Sequence, residues 1–228
     1  MKTEERGPDS FERSLIRLGG ASALLVAVLP WIAILLALPL IPSGFSLLMD
    51  PRDLLLLVHA NKLSFAAFLV PFLVAGFAIL PLLLAIFLRF KKAPVVLGAL
   101  LWGAGTFLIE VGVLLYMGLL PLSDRLVAAG STIEETAVVA TAEAIRWSAQ
   151  SAFAAFEVSF GIAVLLFGWA MLKSGFPRWL GYLGLGTGIV HLGVAVAEVV
   201  PGLDFILLFD LVFNVWFLGV GVALLRGR

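Results

Sequence analysis

Long apolar runs make up most of this chain, and polar residues interrupt these runs instead of alternating with apolar ones. A helix needs roughly 20 apolar residues to cross the hydrocarbon core of a bilayer. Six runs are long enough, so the pattern predicts an all-α, polytopic membrane bundle of six transmembrane helices with the lipid bilayer as its partner. The predicted spans cover residues 15–41, 54–88, 95–119, 147–172, 179–200 and 203–225.

Composition narrows the class of protein. Hydrophobic residues make up 62% of the 228 positions and charged residues 13%, whereas a soluble domain carries roughly a quarter charged residues. A soluble domain of this size could not bury so much apolar surface in one core. The 15 basic and 15 acidic residues cancel, which leaves no basic surface for nucleic acid. The chain has no cysteine, so disulfides and thiolate metal sites are excluded.

The basic residues predict the orientation of the bundle. Eleven of the 15 lie on one side of the predicted spans, and the positive-inside rule assigns that side to the cytoplasm. We therefore expect a multi-pass protein of the cell (inner) membrane with both termini in the cytoplasm. Residues 1–14 would form a cytoplasmic tail, and residues 15–228 a single six-helix domain with an outer-face segment at 120–146. The eleven are Lys2, Arg6, Arg13, Arg17, Arg89, Lys91, Lys92, Lys173, Arg178, Arg226 and Arg228.

Two helix starts carry capping signals. Asp50 precedes Pro51, which suits an N-cap followed by the first helical residue. Ser131 and Glu134 form a capping box. No glycine or proline follows that box until Gly161, so we predict one helix from Thr132 to Leu172, about 60 Å long. Because this exceeds the bilayer thickness, its first part is expected to project outward, either as a lid over the bundle or as a plain connector.

Two predicted hairpins resemble each other. Residues 65–72 match residues 153–160, and residues 94–100 match residues 177–183, with later glycines in the same register. Both hairpins run in the same direction, so the similarity predicts a parallel duplication of spans two and three as spans four and five. Chance agreement within a Leu/Ala/Phe/Gly alphabet is the alternative.

A short stretch of the chain also resembles a known family. The stretch contains Phe160-Gly161, Gly168 and the run from Lys173 to Gly181 (KSGFPRWLG). It is similar to the best-preserved part of a bacterial six-helix, multi-pass membrane protein family of unknown function. The resemblance lies mainly within residues 153–184 and implies six helices and a bacterial source. It implies no chemistry, because that family has no established activity.

Polar residues within the predicted spans are the main functional signal. A charge near the bilayer centre costs about 2.5–3.5 kcal/mol on insertion scales. Counting 1.5 Å per residue places six polar side chains in one layer, roughly 10–16 Å below the outer surface. We predict that this layer faces the bundle interior as a single binding or proton-handling site. Its members are Lys62, Glu110, Glu157, His191, Asp210 and Asn214, and the supporting residues are His59, Asn61, Arg146, Gln150 and Glu198.

Some of these polar residues could also serve as ligands of a metal or a haem. Imidazole and carboxylate ligands suit several divalent metals, so a metal site, if there is one, would use His191, Glu110, Glu157 and Asp210. No local spacing signature supports such a site, and we predict no cofactor. A haem is not favoured either, because His59 and His191 lie on different helices at different depths.

Glycines within the spans indicate close helix packing. Gly184-Leu185-Gly186-Thr187-Gly188 superficially resembles a dinucleotide loop, but no strand precedes it. A small-xxx-small packing surface fits better, and Gly98, Gly103 and Gly105 form a similar one. These Gly-rich faces could also join copies of the chain into an oligomer.

Three functions remain open at this point. The first is binding or transport of a small polar solute, ion or proton by the polar layer. The second is a structural or accessory membrane subunit whose polar residues lock the bundle. The third is an intramembrane enzyme that uses a metal or an acid–base pair. The sequence names neither a substrate nor a reaction.

Overall fold

The computed structural model describes residues 10–41, 49–197 and 212–227. Within these ranges the chain is helical and contains no strand, as the apolar runs predicted. Eight helices follow one another in this part of the chain. They are α1 (Ser10–Ala37), α2 (Pro51–Ala60), α3 (Lys62–Phe90), α4 (Ala93–Met117), α5 (Leu119–Ala128), α6 (Thr132–Leu172), α7 (Arg178–Ala197) and α8 (Val212–Leu225).

Five of the helical segments in the described ranges are long and apolar enough to cross a membrane. They are α1, α3, α4 together with α5, α6 and α7. The chain is therefore a multi-pass helical membrane protein. The predicted sixth span, 203–225, lies partly outside the described residues, which include only the 14 residues of α8. The count of six spans stays a prediction.

Both predicted capping signals are confirmed. The Asp50 side chain accepts a hydrogen bond from the Arg52 N–H at 2.9 Å, with Pro51 as the first residue of α2. The Ser131 hydroxyl accepts a hydrogen bond from the Glu134 N–H at 3.3 Å. Helix α6 then runs without a break for 41 residues, as expected for a segment whose first part lacks glycine and proline.

The predicted second span, 54–88, is wrong in one respect, because it divides at Asn61 into α2 and α3. Asn61 has φ −133° and ψ 36°, which is not helical. Its N–H donates to the carbonyls of Leu57 and Val58, and its side-chain amide donates to the Leu57 carbonyl. An asparagine side chain that competes for backbone groups in this way ends a helix. Lys62 consequently begins α3 and does not lie deep inside a span.

Among the described helices, six form a closed ring in chain order. Helices α1, α3, α4, α6 and α7 each pack against the next, α7 packs against α8, and α8 returns to α1. Helices α2 and α5 pack against each other and against α6 at one end of this ring, which we call the capped end. At the other end, called the basic end, Lys91 of the α3–α4 turn pairs with Glu12 of α1 at 2.8 Å. The ring encloses an axial space lined by all six helices.

Glycines allow the closest helix contacts. A Cβ on Gly161 would lie 2.9 Å from the Gly188 carbonyl oxygen, and one on Gly168 would lie 2.7 Å from the Gly181 carbonyl oxygen, so α6 and α7 meet backbone to backbone. Gly98 of α4 likewise packs on Ala163 of α6. These glycine faces are used within the chain and give no support to the predicted oligomer.

The proposed duplication is not confirmed. The hairpins α3–α4 and α6–α7 are neighbours in the ring, as two copies of one unit would be. However, the glycines of α4 and of α7 both pack on α6. In a strict repeat each would pack on the helix before it. The duplication stays a prediction.

Candidate functional site

A cavity of about 230 Å³ lies inside the ring of six helices. It is bounded by two hydrophobic clusters. The cluster nearer the basic end contains Trp102, Phe167 and Trp216, and the cluster nearer the capped end contains Leu54 and Leu119. The cavity lining comprises Val26 and Pro30 of α1; Phe68, Leu69, Phe72, Ala75, Gly76 and Ile79 of α3; Ile109, Val113 and Tyr116 of α4; Phe153, Phe156, Glu157 and Phe160 of α6; His191 of α7; and Phe213 and Phe217 of α8.

Aromatic rings form much of the cavity wall. Of the described residues that line it, eight are phenylalanine or tyrosine. On α6, Phe156 and Phe160 stack with ring centroids 5.5 Å apart, and Phe160 stacks on Phe217 of α8 at 6.1 Å. Tyr116 stacks on Phe153 at 5.7 Å on the side nearer the capped end. Because adjoining rings hold one another, the wall is a packed surface that presents apolar groups to the cavity.

Two of the predicted site residues meet in this wall. The Nδ1 atom of His191 is hydrogen-bonded to the Oε2 atom of Glu157, which joins α7 to α6. Both residues are buried, with His191 2% and Glu157 8% exposed. The His191 ring also contacts Phe160 edge to face at 4.4 Å. A carboxylate can only accept, so the hydrogen bond to an ionised Glu157 requires a proton on Nδ1 of the imidazole.

Glu110 lies behind the wall, in the seam between α3 and α4. Its carboxylate lies directly against the backbone of Gly76, where a Cβ would overlap it. The Glu110 Oε1 atom is buried and has no hydrogen-bond partner among the described residues. Gly76 itself lines the cavity, so one residue separates this second carboxylate from the cavity.

Two further predicted residues are buried amides. Gln150 and Asn214 are each 3% exposed, and within the described ranges neither side chain has a hydrogen-bond partner for its oxygen or its nitrogen. Gln150 lies seven residues before Glu157, which places both on one face of α6 within about 20°. It therefore lies about 10 Å from Glu157 along the helix, towards the capped end.

Lys62 and His59 belong to a different cluster. The Lys62 ammonium forms an ion pair with Asp124 of α5, and the His59 Nδ1 atom lies 3.0 Å from the same Asp124 oxygen. All three side chains are more than a third exposed. The sequence analysis missed Asp124, although its position in a short amphipathic stretch after span three was a usable signal. The predicted single layer is thus divided between the cavity and the capped end.

Two more of the predicted supporting residues, Arg146 and Asn61, also lie at the capped end. Arg146 donates a hydrogen bond to the Met49 carbonyl at 3.2 Å, and Asn61 ends α2 as described above. Asp210 and Glu198 lie outside the described residues. A neighbouring ion pair joins α2 to α6, where the Glu135 carboxylate hydrogen-bonded to Arg52 raises the pKa of that guanidinium above its usual value.

The structure brings together only part of the predicted metal set. In the described part of the chain, no three histidine or acidic side chains are grouped as metal ligands would be. His191 and Glu157 are in contact, Glu110 lies in the adjacent seam, and Asp210 is not described. The metal site therefore stays a prediction.

Comparison with known proteins gives a family but no activity. No curated protein and no solved structure matches the chain significantly. A family model described as a domain of unknown function, DUF4386, matches residues 31–226. This match covers all of α3, α4, α6, α7 and α8 but only the end of α1, so the lining residues Val26 and Pro30 precede it. It agrees with the resemblance to a membrane family of unknown function. The chain belongs to the DUF4386 family.

Proposed function

We propose that this chain is a membrane-embedded binding protein whose central cavity holds a small, mostly apolar molecule with one polar or charged group. The observation that carries the proposal is the cavity itself, in which aromatic rings surround one buried His191–Glu157 pair. Ligand sites in proteins have this composition, with apolar walls and a few polar groups that fix orientation. The pair supplies a carboxylate acceptor beside an imidazole.

The size of the cavity sets the size of the ligand. An apolar protein cavity of about 150 Å³ binds benzene. A cavity of about 230 Å³ therefore has room for an aromatic ring with a short substituent. This favours an apolar or amphiphilic ligand over the small polar solute that the polar layer suggested, because so much of the wall is aromatic.

Binding is favoured over transport by the packing on one side of the cavity. Trp102 contacts Phe160, Phe167, Trp216 and Phe217 with centroid distances between 4.8 and 6.3 Å. This cluster fills the ring between the cavity and the basic end. A solute would have to displace several packed aromatic rings to pass through it.

A binding measurement with a defined probe tests the proposal. We would add para-fluorobenzyl alcohol to the full chain in lipid nanodiscs and follow the probe by fluorine NMR. We expect a bound resonance distinct from that of the lipid-dissolved probe. Ala75→Phe should abolish it, because Ala75 lines the cavity and the added ring would fill part of the space.

The matched control is Val74→Phe, which adds a ring at a neighbouring position that is 40% exposed on the outer face of α3. It should leave the bound resonance unchanged. A wild-type chain without a bound resonance, or a resonance that survives Ala75→Phe, would contradict the proposal. A folded Ala75→Phe variant with unchanged helicity is required for the comparison.

A structural role is the second candidate, because the His191–Glu157 contact joins α6 to α7. That role predicts that Glu157→Gln changes the free energy of unfolding while leaving probe affinity unchanged. A ligand site predicts a loss of affinity in the same variant. The two measurements on one protein separate the two roles.

A further inference from the structure

We propose that the ligand of the cavity is a lipophilic organic cation, either a protonated amine or a quaternary ammonium compound. This inference rests on the proposed binding function and names its ligand class. Three features support it: the aromatic wall, the charge of the groups around the cavity, and the position of Glu110.

The aromatic wall suits a cation. Each phenylalanine or tyrosine ring carries negative electrostatic potential on its faces and attracts a cation within about 6 Å. Eight such rings line the cavity. Cages of aromatic side chains are a common means of binding quaternary ammonium groups. A neutral apolar ligand would contact the same aromatic wall but would lack the attraction between a cation and the ring faces.

Beside the His191 imidazole, the described side chains that carry charge near the cavity are acidic. Glu157 is part of the wall and Glu110 lies behind Gly76. Among the described residues that line the cavity, none is lysine or arginine. The nearest basic side chain on α6 is Arg146, eleven residues or about 16 Å before Glu157 along the helix, where it donates to the Met49 carbonyl. A ligand cation would offset acidic charge that is costly in an apolar environment.

Glu110 lies between the outer surface of the ring and the cavity wall. On α4, Phe107 and Leu114 lie one turn to either side of it and are 69% and 58% exposed on the outer surface of the ring. Its carboxylate is half-buried between that surface and Gly76 of the cavity wall. The buried Oε1 atom has no hydrogen-bond partner in the described residues. An amphiphilic cation entering along the α3–α4 seam would therefore meet Glu110 before Glu157.

The test compares two probes of equal shape and different charge. We would measure binding of para-fluorobenzyl trimethylammonium and of its uncharged carbon isostere, para-fluoroneopentylbenzene, to the full chain in nanodiscs by fluorine NMR. Concentrations are corrected for partition into empty nanodiscs. The cation should bind roughly tenfold more tightly than the isostere, as expected for desolvated cation–π and carboxylate contacts.

Variants that remove one negative charge then show which carboxylate causes the preference for the cation over the isostere. Glu157→Gln should reduce cation affinity roughly tenfold, because the carboxylate charge that attracts the ammonium is removed, and should change isostere affinity little. Glu110→Gln should reduce cation affinity about threefold, since this carboxylate is one residue further from the cavity. Glu143→Gln makes the same chemical change at an exposed position of α6 and should leave both affinities unchanged. If Glu157→Gln does not fold, Glu110→Gln decides the question, and an unchanged preference there would overturn the inference.

Failure of this inference is distinct from failure of the proposed function. Equal binding of cation and isostere, abolished in both cases by Ala75→Phe, would overturn the cation inference and leave cavity binding intact. Binding of neither these probes nor para-fluorobenzyl alcohol would overturn both.

Discussion

In the described part of the chain, one histidine–carboxylate pair lies inside the ring and another lies at its capped end. His191 and Glu157 meet in the cavity wall, where both residues are buried. His59 and Asp124 meet at the capped end, where their side chains are 37% and 54% exposed. The chemical groups are the same, but their surroundings differ. Exposed pairs contribute little because water and salt screen them, whereas removal of one partner from a buried pair is costly. The position of a pair therefore indicates its role better than its residue types.

The largest expected effect follows from removing each histidine. His191→Leu should lower the free energy of unfolding by about 3 kcal/mol, because Glu157 loses its imidazole in an apolar wall. His59→Leu should lower it by less than about 1 kcal/mol, because Asp124 keeps Lys62 and water. Reversible unfolding in mixed micelles measures both values. Equal losses would show that burial does not distinguish the pairs.

A glycine in each region gives the next comparison. Gly76→Ala should destabilise the protein by about 1–3 kcal/mol, because the new Cβ overlaps the Glu110 carboxylate and one of the two must move. Gly130 precedes α6 at the capped end and has no atom within 4 Å of a built Cβ. Gly130→Ala should therefore stay within about 0.5 kcal/mol of the wild type. The same unfolding measurement applies, and a neutral Gly76→Ala would contradict the expected cost and show that the Glu110 side chain can move aside easily.

Gln150 lies between the cavity and the capped end, and a substitution there tests whether its buried amide has a hydrogen-bond partner. Its amide atoms have no partner among the described residues. If nothing else bonds them, Gln150→Met should be neutral or stabilising by up to about 1 kcal/mol. A loss of stability would mean that the amide has a hydrogen-bond partner in the folded protein. Gln150→Glu serves as the opposite control and should destabilise it, because it adds a buried charge.

The smallest effect is expected at Asp124. Asp124→Asn should lower the free energy of unfolding only slightly at low salt, because water screens this exposed ion pair. The difference from the wild type should shrink further at about 1 M salt, where the screening length is about 3 Å. A large difference that persists in high salt would show that the capped-end cluster is more important to stability than its exposure suggests.

The sequence predicted helices well where local signals were strong. The bounds of α6 follow from the capping box at Ser131 and from the absence of glycine and proline in the following turns. The break at Asn61 was missed because no glycine or proline marks it. The helix ends there through local hydrogen bonds made by the asparagine itself. Counting through that break placed Lys62 eight residues inside a span, whereas it is the first residue of α3.

Only part of the candidate site was predictable, because a sequence pattern shows which face of a helix is buried but not which helices are neighbours. Helical phase indicated that Glu157 faces inward, and the polar character of His191 indicated the same for α7. Their contact, across 34 residues of sequence, and the partnership of Lys62 with Asp124 depend on which helices are neighbours in the ring. Periodicity within a helix carries no information about that order. The aromatic wall was hidden for the same reason, since Phe153, Phe156 and Phe160 also suit an ordinary packed core.

The most direct test asks whether the buried pair serves a ligand and the exposed pair does not. We would compare the affinity of para-fluorobenzyl alcohol for the wild type, Glu157→Gln and Asp124→Asn in nanodiscs, with folding checked by helicity. Affinity should fall roughly tenfold in Glu157→Gln, because a charge-assisted hydrogen bond is lost, and should stay within about twofold in Asp124→Asn. Unchanged affinity in a folded Glu157→Gln variant, or equal losses in both variants, would contradict a binding role for the His191–Glu157 pair.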